Sequence, residues 1–224
     1  MTHERYDYKN VWKTAAFVVA FFALWTSAWL LHEFLAQTFV PSLSESDNLN
    51  LLYWALTKLI VWVAFPYLYV KSVVRPVSTV GFLGLHNAYR GVAAGVIAGI
   101  VWAGAAFSVD GRPALHFVPT LTLLWVIAGT PIAEEFTFRG VVLPGLHNGG
   151  IGFWKANLLT SLLFLLVHCV GWCFQGTLTA NLNPMLVGGI LLVSLVAGWL
   201  RHRTDSLYSG MVLHAVNNLY SSLR

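Results

Sequence analysis

Apolar residues along the chain fall into seven long runs, separated by short polar connections. The runs cover about residues 14–31, 51–70, 91–107, 117–146, 153–171, 185–200 and 206–223. Helices of roughly 20 apolar residues, rising 1.5 Å per residue, match the thickness of a bilayer's hydrocarbon core. The pattern therefore predicts an all-α fold: a polytopic membrane helix bundle of about seven transmembrane helices, forming one integral-membrane domain over residues 1–224. In the third run Gly91, Gly95, Gly99 and Ala103 recur at every fourth position. Such a ridge of small residues lets another helix approach closely. In the fourth run Pro131 has no N–H for the carbonyl of Ile127, which predicts a kink or break and a water-accessible pocket just before Glu134. The connection 76–89 mixes apolar and polar residues and reads equally as a short interfacial helix or an amphipathic loop.

A few polar residues interrupt the apolar runs. Of the acids only Glu134 and Glu135, and of the histidines only His168 and His214, fall well inside one. Arg139 follows the acid pair, and Lys58 sits near the middle of the second run. Each charge near a bilayer centre costs roughly 2.5–3.5 kcal/mol on insertion scales, so such a cluster is paired, hydrated or used. A structural ion pair that locks helices together is the plain alternative. Helical spacing separates the two acids. Glu135 and Arg139 are four apart and share a face, so they pair. Glu134 lies about 140° around the helix from Arg139 and looks elsewhere. A buried carboxylate beside an acidic neighbour is poised to act as a general base for water. Lys58 either pairs with this cluster, or sits in a water-lined position, or snorkels.

Composition agrees with a membrane protein. The chain is 57% hydrophobic and only 10% charged, against about a quarter charged in soluble domains. Ten Trp and eight Tyr suit interfacial aromatic belts. The net charge of +4 is spread over short loops, which argues against nucleic acid as a partner. Alternate connections carry Arg5, Lys9 and Lys13; Lys71, Arg75 and Arg90; Lys155; and Arg201 and Arg203. The opposite set carries only Arg112 and Arg224. The positive-inside rule then predicts a multi-pass protein of the cell membrane, with a cytoplasmic amino terminus and an outer carboxyl terminus. The first apolar run is too long for a cleavable leader and lacks its small-residue site. Cys169 and Cys173 read as small buried side chains rather than a disulfide.

Polar groups from three separate runs are most simply satisfied in one pocket. His214 and Asn218 are four apart and share a face. No Gly-x-Ser-x-Gly and no His-Glu-x-x-His occurs, so neither a serine nucleophile nor a zincin site is indicated. Glu134, His168 and His214 suit zinc by ligand type, although no two come from one helical turn. The other design is a carboxylate that deprotonates water beside a histidine, with a second histidine and an asparagine amide donating to the oxyanion.

The three patterns, Glu134-Glu135-x-x-x-Arg139, Phe164-x-x-x-His168 and His214-x-x-x-Asn218, resemble the three motifs of the CAAX protease and bacteriocin-processing (CPBP, or Abi) family. That family includes the type II CAAX prenyl endopeptidases. The similarity covers the motif-bearing half, about residues 117–224. The resemblance implies a membrane helix bundle with glutamate-type intramembrane endopeptidase activity and no cofactor. Glu134 and His168 would activate water, His214 and Asn218 would form the oxyanion hole, and Glu135 and Arg139 would support the site. The implied partners are a peptide or protein substrate at the membrane and the lipid bilayer. Two other readings remain open: a non-proteolytic membrane protein of immunity or partner binding, and a zinc-dependent version of the protease. With these span boundaries Glu134 lies near the cytoplasmic face, His214 about eight residues in from that face and His168 about fifteen residues in, or about 22 Å, a mismatch in level.

Overall fold

A computed structural model describes residues 11–45, 47–110 and 120–223. Four sequence features lie outside the described residues: the basic lead with Arg5 and Lys9, the loop with Arg112, the start of the fourth run near Phe117, and Arg224. The described residues form an all-α bundle. Its seven main helices are α1 (Val11–Thr38), α2 (Asp47–Val74), α3 (Ala88–Asp110), α4 (Leu121–Asn148), α5 (Phe153–Phe174), α6 (Pro184–Thr204) and α7 (Tyr208–Ser222). Six of the bundle's helices are long and apolar enough to cross a membrane. The seventh, α7, has 15 residues, or about 22 Å.

Three prolines shape the helices around the site. Pro66, Pro131 and Pro144 each lack the N–H that would bond to the residue four back, namely Trp62, Ile127 and Gly140. Each of those residues lies in a π-helical stretch: Lys58–Ala64, Trp125–Gly129 and Phe138–Val142. The wider turn accommodates the missing bond, so helix α4 is locally altered before Pro131 but continues through it without the break that was one of the two expected outcomes. Two carbonyls in or beside these wider turns are taken by side chains of partner helices. Thr137 Oγ1 donates to Trp62 O at 2.6 Å and Asn218 Nδ2 donates to Val126 O at 2.9 Å.

The small-residue ridge of α3 faces α7. A Cβ at Gly95 would lie 2.7 Å from Ser209 O and from Val212 Cβ, and one at Gly99 would lie 2.9 Å from Val216 Cβ. This close approach carries the helix of His214 into the bundle. The start of α7 is sunk as well. Ser206 and Leu207 are fully buried, and Leu207 N–H donates to Gly84 O at 2.8 Å. Gly84 has φ 74°, a conformation suited to glycine. It ends a short helix, Thr79–Leu83, whose Phe82 and Leu83 are buried in the core. The connection 76–89 thus holds a short helix, one of the two forms its sequence suggested, and Phe82 and Leu83 at its end are folded into the core. Asp205 pins the same turn, bonding His86 at 3.0 Å and Arg201 at 3.0 Å. Burial would push its carboxyl up, but these bonds outweigh burial and hold it below the usual carboxylate range.

The core is aromatic. Phe17, Phe21, Trp25 and Trp29 recur every four residues on α1 and are buried. Trp62 meets Phe21 and Trp25 edge-on at 5.0 Å each. These tryptophans are core residues, which corrects their reading as an interfacial belt. Trp12 and Trp154 are exposed as belt residues would be. The cysteines are free thiols, as expected, but they are not the buried side chains the sequence suggested: Cys173 is exposed and Cys169 is partly buried. They face outward on α5 because its buried face is taken by Phe164, Val167 and Gly171.

Candidate functional site

Helix length resolves the mismatch in level. Helix α4 continues to Asn148, so Glu134 lies fourteen residues from that end, about 21 Å. His168 lies fifteen residues past Phe153, about 22 Å into α5. The turn at 149–152 joins these two helices, so the two residues stand at one height. The sunken start of α7 carries His214 to the same height.

The acids take different partners, as their spacing required. Glu135, 1% exposed, accepts from Arg139 Nη1 at 2.9 Å. Arg139, fully buried, also donates to Ser194 Oγ at 2.6 Å and Ser194 O at 3.0 Å. Glu134, 6% exposed, accepts from the Lys58 ammonium at Oε1, 2.6 Å. Its Oε2 is buried without a hydrogen-bond partner and lies 3.7 Å from His214 Nε2. Gly210, one turn before His214, leaves room for this cluster; a Cβ there would lie 2.6 Å from Glu135 Oε2.

Acceptor-only partners fix both imidazoles. His168 Nδ1 donates to Phe164 O at 2.7 Å, which leaves Nε2 as the acceptor of the neutral ring. His214 Nδ1 donates to Glu135 Oε1 at 3.1 Å. Its Nε2 therefore donates to a ligand only when the ring carries a second proton. The amide of Asn218 is oriented by a chain of bonds. The Trp102 indole donates to Asn217 Oδ1 at 2.9 Å, and Asn217 Nδ2 donates to Asn218 Oδ1 at 3.3 Å. The Asn218 nitrogen is then the free donor, with one hydrogen on Val126 O.

A cavity of about 150 Å³ opens beside Glu134. Glu134, His168 and Gln175 are its polar lining, and Trp25, Trp29, Trp62 and Trp172 wall it. The structure thus gathers Glu134, Glu135, Arg139 and His214 in direct contact and brings His168 to the same cavity. Asn218 stands one turn from His214 and reaches α4 through Val126. The sequence did not single out Ser194, Trp102 or the tryptophan wall. The four-residue recurrence of Trp25 and Trp29 was the available signal for the wall. Among the described residues no three His, Cys, Asp or Glu side chains are grouped to hold a metal ion. The lysine ammonium on Glu134 Oε1 occupies the place a cation would take there.

The family model for Rce1-like type II CAAX prenyl endopeptidases matches residues 114–220. This stretch is a CAAX-protease-family domain. The domain contains Glu134, Glu135, Arg139, His168, His214 and Asn218, whereas Lys58, Trp25, Trp29, Trp62 and Trp102 precede it. No curated protein and no solved structure matches the chain.

Proposed function

We propose that the protein is an intramembrane endopeptidase that hydrolyses a peptide bond with water activated by Glu134. The observation that carries this reading is the state of the Glu134 carboxylate. It is buried, one oxygen is held by Lys58, and the other is unpartnered beside His214 and a cavity shared with His168. Glu134 Oε2 takes a proton from a water that His168 Nε2 orients, and the hydroxide adds to the substrate carbonyl. The oxyanion of the tetrahedral intermediate receives hydrogen bonds from the His214 imidazolium and the Asn218 amide. The proton on Glu134 passes to the leaving amine as the C–N bond breaks. Glu135 and Arg139 hold His214 in place.

The substrate is a peptide or protein at the membrane. The chain acts as a single integral-membrane domain with seven spans, counting α7. Basic residues support a cytoplasmic amino terminus: Lys71, Arg75, Arg90, Lys155, Arg201 and Arg203 all flank helix ends on the side of the 149–152 and 204–207 turns. A zinc-dependent version finds less support, because an ammonium already neutralises Glu134.

The test is comparison of membrane peptides from cells carrying the wild-type protein or Glu134→Gln. Cleavage products should vanish in the variant while the protein still folds, and His168→Ala and His214→Ala should behave alike. Wild-type-like cleavage by Glu134→Gln would end the glutamate reading.

A further inference from the structure

We infer that Lys58 is a positioning residue of this reaction: its ammonium keeps Glu134 charged and turned so that Oε2 faces the reacting water. The inference rests on the proposed glutamate mechanism and adds a residue from outside the CAAX-protease domain.

Lys58 is near the middle of α2 and 9% exposed. Its stem does not snorkel. The ammonium turns inward, 2.6 Å from Glu134 Oε1 and 5.1 Å from the centre of the Trp62 ring. A carboxylate this deeply buried takes a proton unless a positive charge compensates it, and a protonated carboxyl cannot serve as a base. The other candidates for that compensation are engaged elsewhere. Arg139 is bound to Glu135 and Ser194. His168 is bound through Nδ1 to Phe164 O, and His214 is bound to Glu135 with its Nε2 3.7 Å from Glu134 Oε2, beyond hydrogen-bond reach. Among the described residues Lys58 is the one Lys or Arg within ion-pair distance of Glu134. As a mere lock between helices the pair would contribute little, since apolar replacement of a buried ion pair is often neutral. Its geometry does something more specific. It ties Oε1 and leaves Oε2 unpartnered, 3.7 Å from His214.

The test uses the full chain in lipid vesicles at neutral pH, as wild type, Lys58→Met, Lys58→Arg and the Lys58→Met/Glu134→Gln double variant. Isotope-edited infrared spectroscopy reads the carboxyl groups without substrate. Lys58→Met should gain a protonated-carboxyl band that is absent from wild type and lost in the double variant. On an internally quenched peptide library in the same vesicles, its turnover should fall about a hundredfold with KM little changed. Lys58→Arg, which keeps the charge, should recover most of the turnover. Lys58→Gln retains a polar side chain and carries the same measurements if Lys58→Met does not fold. An ionised Glu134 in the uncharged variants, or a loss seen in KM alone, overturns the inference. A wild type that cleaves nothing, with the infrared band present in Lys58→Met, sinks the protease reading and leaves the hold of Lys58 on Glu134 standing.

Discussion

Asn218 is the proposed oxyanion donor with the most constrained amide. Trp102 can only donate, so Asn217 must accept from it, and Asn218 must in turn present its nitrogen. Asn218→Ala should lower turnover about 10²–10³-fold with KM nearly unchanged, as measured by steady-state kinetics. Arg139 plays a different part. It is fully buried and bonds to both Glu135 and Ser194. Arg139→Ala leaves a buried carboxylate without its partner, a change that costs about 3–5 kcal/mol. Unfolding in detergent should read that loss as stability, unlike the Asn218 change. The pairing of Glu135 with Arg139 was legible from a spacing of four. The sequence offered Lys58 as a partner for the cluster, but its choice of Glu134 was not legible, because 76 residues separate them and only packing joins them.

Helix α4 takes its form from where its prolines fall. Pro131 was visible in the sequence, and its missing N–H was a sound reason to expect a local change. The helix widens instead of breaking because an i→i+5 turn keeps most backbone groups bonded. The carbonyl left over, Val126 O, is the one Asn218 occupies. Pro131→Ala restores a backbone donor in this turn. Thermal stability should rise, since proline inside a helix costs about 3 kcal/mol. Turnover should fall, because the new N–H competes with Asn218 for its anchor. Parallel melting curves and rate measurements check both signs. The α3 ridge behaved as its spacing predicted, and the structure adds that its partner is α7.

The candidate site belongs to the whole molecule and extends beyond its matched half. Residues 114–220 carry the three motifs, but α1 and α2 supply Lys58 and three of the four tryptophans of the cavity. A fragment of residues 111–224, inserted in a membrane alone, should not cleave peptide. Co-expression with residues 1–110 should restore activity, which a cleavage assay on membranes measures. The seven predicted runs and the seven helices correspond one to one, although α1 extends past its predicted end to Thr38 and buries His32 among Trp29, Tyr53 and Trp54. That extension was hidden because His32 and Glu33 look like a loop when only hydropathy is read.

The sequence by itself determined the class of fold, the identity of the polar residues and the pairing of Arg139 with Glu135 rather than Glu134. Those follow from periodicity and from the cost of charge in an apolar run, which are local properties. Only the tertiary structure decided which helices meet, how deep α7 begins, which cation neutralises Glu134 and where the tryptophans point. Those depend on contacts between residues far apart in the chain, where a side chain's partner is chosen by packing and not by spacing.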